Sequence, residues 1–120
     1  MAFLEILKEL VDNVKGGLAA TVMGVDGIAI EQYIGESRLD VETVGVEYGK
    51  VIEEIRNASR LLNLGEVEEV LVATAGNDLL LRLVNHDYYI AFVAGPEANI
   101  GQARYLLKRA AAKTAKELER

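Results

Sequence analysis

A few short stretches carry residue types that could do chemistry. The single histidine, His86, lies in an Asn-His-Asp run. As a general base, or as the partner of a nucleophile, it would need a hydroxyl or carboxylate held against it. None is legible nearby, so a solvated turn residue is expected. The stretch GVEYGKV, residues 45–51, has some of the look of a phosphate loop, in which backbone amides and a lysine cradle phosphates. That loop requires G-x-x-x-x-G-K-[ST] between a strand and a helix. Here the glycines stand one residue too close, Val51 replaces the magnesium-binding hydroxyl, and the surrounding periodicity is helical. A nucleotide site is therefore excluded. The carboxylate pairs Glu53-Glu54 and Glu68-Glu69 raise metal ligation or acid–base work, but adjacent side chains diverge on either a helix or a strand. Solvated surface charge is expected of both pairs. Arg82, inside LLLRLV, needs a partner or an exposed edge, and a structural ion pair is expected. Asp26 precedes Gly27 and reads as a turn former rather than an acid. No catalytic residue, metal site or cofactor site is assigned, and what remains is surface.

The elements that would carry that surface follow from patterning. Residues 3–14 place Phe3, Ile6 or Leu7, Leu10 and Val14 three or four apart, with charge on the other side, which predicts a helix with one buried stripe. Lys15-Gly16-Gly17 stops it. The apolar run 18–25, the Asp26-Gly27 turn signal and Ile28, Ile30 and Gln32 predict a two-residue hairpin with its return strand. Asp40 has the position of a helix N-cap, and a long helix runs to about Leu62, with Gly65 beyond it. EVEEVLVATA, DLLLRLV and DYYIAFVA predict three strands, separated by Gly76-Asn77 and Asn85-His86. Their nearly continuous apolar runs imply helices on both faces of the sheet. Pro96, at a helix-compatible position, and Asn99, three residues before Gln102, open a final helix. Its stripe of Ile100, Ala103, Leu107, Ala111, Thr114 and Leu118 is rich in small residues.

Composition sets the outer limits. A chain of 120 residues, 51% apolar and without internal repeats, predicts one compact domain over residues 1–120. It has no cysteine, so no disulfide framework or thiolate zinc site is expected. The acidic residues within the N-terminal apolar pattern do not fit a signal peptide, and no uncharged apolar run approaches the ~18 residues of a membrane span. A cytoplasmic protein with no membrane partner is expected. The net charge of −6 argues against nucleic acid as a partner. Residues 97–120 hold six basic and three acidic residues, against seven basic and sixteen acidic in 1–96. The basic end is expected to be the solvent face and last turn of a helix.

The long helix poses a question. Gly45 and Gly49 each cost about 1 kcal/mol relative to alanine in a helix interior. At 100° per residue, Val44, Tyr48, Val51, Ile52, Ile55, Ser59 and Leu62 form one apolar face, Gly45, Gly49, Arg56 and Arg60 lie along its flank, and Val46, Lys50, Glu53, Glu54 and Asn57 lie on the far side. Either the glycines let the helix lie close on its own sheet, or they face the same helix of a second copy in a symmetric dimer. With the apolar face assigned to the sheet, the second reading is the one adopted.

The order helix, two strands, helix, three strands, helix, together with VMGVDGIAI, VLVATAGNDLLLRLV and NIGQARYLLKRA, resembles the Roadblock/dynein light-chain superfamily, whose bacterial and archaeal members include MglB-like partners of small GTPases. The likeness covers essentially the whole chain. It implies an α+β fold, a profilin/roadblock-like α/β/α sandwich in which a five-stranded antiparallel sheet carries one helix on one face and the two terminal helices on the other. It also implies a homodimer made by the middle helix and the third strand, with third strands pairing into a continuous sheet. Family members are platforms for Ras-like GTPases or adaptors in motor and signalling complexes, without active-site chemistry of their own. Some MglB-like members accelerate GTP hydrolysis by repositioning the GTPase's residues. Dimer contacts are then expected at Val41, Gly45, Gly49, Ile52, Arg56, Val70 and Val72, and a small Ras-like GTPase is expected on Val46, Lys50, Glu53 and Asn57. A small-molecule sensor is the alternative, with Thr21, Thr74 and Arg82 as the polar groups a pocket could use. A purely structural adaptor is a third.

Overall fold

A computed structural model describes residues 1–35 and 38–120. The elements run α1 (Phe3–Asn13), β1 (Gly17–Gly24), β2 (Ala29–Ile34), α2 (Val41–Leu61), β3 (Glu69–Ala73), β4 (Asp78–Leu83), β5 (Tyr88–Ala94) and α3 (Ile100–Leu118). The expected element order is the observed one. All five strands form one antiparallel sheet in the order β2-β1-β5-β4-β3.

The sheet is covered on both faces, as the strand composition predicts. On one face α1 and α3 bury Ile6, Leu7, Leu10 and Leu107 against Val22, Leu80, Ile90 and Phe92. On the other, α2 buries Val41 and Ile52 against Ala19, Met23, Tyr89 and Ala91. Truncating a fully buried residue such as Phe92 to alanine would cost about 3–5 kcal/mol.

The connections show how local chemistry sets each element's limits. The Asp40 carboxylate accepts the Thr43 N–H at 3.1 Å and caps α2. At the other end, Asn63 takes a left-handed φ of 56°, the Asn63 N–H donates to Arg60 and the Leu64 N–H to Ser59. That is a Schellman cap with asparagine in the position glycine usually fills. Asn99 accepts the Gln102 N–H at 3.0 Å and starts α3. Pro96 is therefore not a helix residue: it lies in the turn closed by the Ala98 N–H on the Gly95 carbonyl. The β1–β2 hairpin also departs from the expected two-residue loop. The Gly27 N–H donates to Gly24 and Gly27 then adopts φ +87°, so β2 starts at Ala29 and Ile28 is left exposed. A turn followed by a left-handed glycine makes a three-residue connection. Asp26 serves the turn as expected, accepting the Ile28 N–H at 3.0 Å.

Candidate functional site

The long helix is rotated about its axis from the expected orientation. Val41, Gly45, Gly49, Ile52 and Arg56 are its buried residues. They face the chain's own sheet: a Cβ at Gly45 would come within 2.9 Å of the Met23 methyl, and one at Gly49 would collide with the Tyr89 hydroxyl. The two glycines thus let α2 settle onto β1 and β5, and the Tyr89 hydroxyl uses the gap to donate to the Gly45 carbonyl at 2.7 Å. Burial, with Asp26 and Glu53 contributing, pushes the Tyr89 pKa up to about 12, which keeps this donor protonated. The reading that placed the glycine flank against a second copy is corrected accordingly. Those five residues are buried within the single chain.

The apolar strip assigned to the sheet is the one left over. Val51 is 43% exposed, Leu62 68%, Ala58 is exposed, and Val44, Tyr48 and Ile55 are half-buried. α2 packs on β1, β5 and β2, and its Val46, Lys50 and Glu53 flank faces the β1–β2 hairpin, so the strip runs along the side of α2 towards β4 and β3. The neighbouring sheet surface is apolar as well: Val70 and Val72 pair with Leu81 and Leu79 and are only half-buried. Among the described residues β3 has a partner strand on one side only. The Leu83 N–H donates to Glu68 and the Thr74 N–H to Asn77. Antiparallel alternation then turns the main-chain groups of Glu69, Leu71 and Ala73 away from β4. A helix strip, a sheet margin and a free edge thus form one unpartnered apolar surface.

The opposite flank of α2 holds a second feature. Val46, Lys50 and Glu53, three of the four residues expected to meet a partner, line a cleft of ≈ 360 Å³ with Val25, Asp26, Gly27, Gly49 and Tyr89. Asn57 lies outside it and accepts from Arg60 at 3.2 Å. Lys50 reaches Glu47 at 3.3 Å.

The charged residues singled out for chemistry are engaged with one another. Arg56 is buried, donating to Glu53 and to the His86 carbonyl, both at 3.1 Å, and so ties α2 to the β4–β5 turn. The sequence placed Arg56 on the glycine flank but gave no sign of this carbonyl partner, thirty residues away. His86 itself is exposed, as expected, and its ring meets Asp87 at 3.5 Å. Arg82 forms the expected ion pair, at 3.2 Å from Glu69 and 3.6 Å from Glu68. The two adjacent carboxylates therefore converge, contrary to expectation, because the guanidinium fork is wide enough to span both. Glu69 also accepts from Arg104 at 2.7 Å. A cleft of ≈ 440 Å³ is lined by Arg56, Val67, Arg82, Leu83 and His86. Thr21 does not reach it, since its hydroxyl donates to the Glu31 carbonyl, and Thr74 closes the β3–β4 turn. The three polar groups a sensor pocket could use are thus not brought together. Among the described residues no His/Cys/Asp/Glu cluster could hold a metal ion. Nor, among the described residues, is any helix long and apolar enough to cross a membrane.

No family model matches the sequence, and no curated protein matches it significantly. Solved structures do match. MglC from Myxococcus xanthus is 34% identical over 98% of this chain and 99% of its own, with a TM-score of 0.70. A Roadblock/LC7 domain from Streptomyces avermitilis is 19% identical over 98% of both chains, TM-score 0.87. Myxococcus xanthus MglB is 13% identical over 98% of this chain and 94% of its own, TM-score 0.88.

Proposed function

From the premise that this chain belongs to the Roadblock/LC7 superfamily, we propose that it is a non-enzymatic homodimeric platform that binds a small Ras-like GTPase and regulates its hydrolysis or localisation. The observation that carries this reading is the unpartnered surface of α2 and β3, which is complementary to itself. Two α2 helices laid antiparallel about a two-fold axis midway between Val51 and Ile55 bring Val51 against Ile55, Tyr48 against Ala58 and Val44 against Leu62. Each pair is apolar, and the largest side chain meets a small one. Two β3 edges paired about Leu71 match Val70 with Val72 on the α2 side and Glu69 with Ala73 on the other, with no like charges opposed. The residues with free main-chain groups are the ones that meet. A bare apolar edge is an aggregation hazard, and pairing removes it. Of the residues expected at this interface, Val70 and Val72 are retained, and the helix contribution moves to the apolar strip.

The partner belongs on the far side of α2, at Val46, Lys50, Glu53 and Asn57, which such a dimer leaves open. Pull-down with a Ras-like GTPase encoded beside this protein, loaded in turn with GDP and a GTP analogue, tests the role. Nucleotide-dependent capture that Glu53→Gln weakens is expected. Capture from neither state would remove the platform reading.

A further inference from the structure

The cleft between α2 and the β1–β2 hairpin has a chemistry that the platform reading does not specify. Its floor and walls are apolar, formed by Val25, Val46 and the Tyr89 ring, and Gly27 contributes no side chain to fill it. Two carboxylates stand at it, Asp26 and Glu53. Each has one oxygen committed: Asp26 Oδ1 to the Ile28 N–H and Glu53 Oε1 to Arg56. The one cation on the rim among the described residues, Lys50, is turned to Glu47.

We propose that this cleft is a receptor for an arginine side chain carried on an exposed segment of the protein partner. An apolar groove with an acidic mouth matches a side chain whose stem is aliphatic and whose tip is cationic. The stem lies along Val25 and Val46, and the guanidinium reaches the second oxygens of Asp26 and Glu53. Arginine suits the site better than lysine because its planar fork donates to separate carboxylates at once, through charge-assisted bonds. The cleft lies across α2 from the apolar strip, so self-association through that strip leaves it accessible. The assignment rests on the platform reading only for the source of the arginine.

Titration of the isotope-labelled full chain with N-acetyl-arginine N-methylamide, followed by amide NMR, tests the site without any partner. Saturable shifts confined to the amides around Gly27, Val46 and Gly49 are expected, in the millimolar range. The citrulline counterpart, which has the same shape without the charge, should bind about ten-fold more weakly, and Asp26→Asn should weaken the arginine titration several-fold. Because asparagine can still accept the Ile28 N–H, that variant keeps the turn, and its unchanged spectrum elsewhere verifies the fold. Equal response to the arginine and citrulline compounds, or shifts centred elsewhere, would overturn the assignment. If the arginine compound titrates as expected while the GTPase is captured in neither nucleotide state, the cleft stands and the platform reading falls.

Discussion

The Tyr89 hydroxyl occupies the place a side chain at Gly49 would take, and donates to the Gly45 carbonyl one turn earlier. Residues 45, 49 and 89 are therefore constrained as a unit. Gly49→Ala should gain about 1 kcal/mol of helix propensity yet lose more, because the methyl displaces a buried hydroxyl from the Gly45 carbonyl. A net destabilisation of about 1–3 kcal/mol in urea unfolding is expected. With Tyr89→Phe as background, the same substitution should cost at least about 1 kcal/mol less, and strictly additive effects would count against this packing. Burial of the same hydroxyl, with Asp26 and Glu53 contributing, sets an alkaline limit. Tyr89 titrates near 10 when unfolded and about 12 when folded, so its contribution is whole below pH 10 and is lost as pH rises through 12. None of this could be read from the glycines alone. Their partner is a tyrosine on a strand some forty residues on, and a residue without a side chain leaves no mark in a hydrophobic pattern.

At the scale of elements, the chain announces itself well where a local rule decides. Asp40 and Asn99 cap the helices that follow them because a carboxylate or amide oxygen there meets an unpaired N–H, whatever the tertiary context. The Asp40 carboxyl is held below its ordinary value of 3.8, first by the Thr43 hydroxyl and then by the Thr43 N–H. Its stabilisation is therefore full above that value and is lost as pH falls through the lower folded value. The melting temperature should drop below about pH 4, and Asp40→Asn should flatten that drop while keeping the cap; an unaltered acid limb would contradict the assignment. Orientation was harder to read. Periodicity finds an apolar strip on α2 but cannot say whether it meets the chain's own sheet or another chain, since both are burial. The strip and the glycine flank lie side by side, and a rotation of about one residue exchanges their roles. The hairpin loop differs from the expected one for a similar reason: Asp-Gly marks a turn, while the extra residue depends on the hydrogen bond Gly27 makes.

For the whole molecule, the consequence is a division of surfaces. One side of α2, with β3, is apolar and self-complementary; the other side holds the acidic cleft; the glycine line between them is spent on the fold. This separates variants that a glycine-mediated dimer would group together. Substitutions at Gly49 should act on stability, and substitutions on the apolar strip should act on assembly. Light scattering after size-exclusion chromatography of wild type and Ile55→Glu tests this most directly, because Ile55 meets Val51 on both sides of the proposed two-fold axis and is only half-buried in the single chain. The expected result is a wild-type dimer and a folded Ile55→Glu monomer with unchanged far-UV circular dichroism. A variant that stays dimeric, or a wild type that is monomeric at the same concentration, would contradict the assignment of this surface to a second copy.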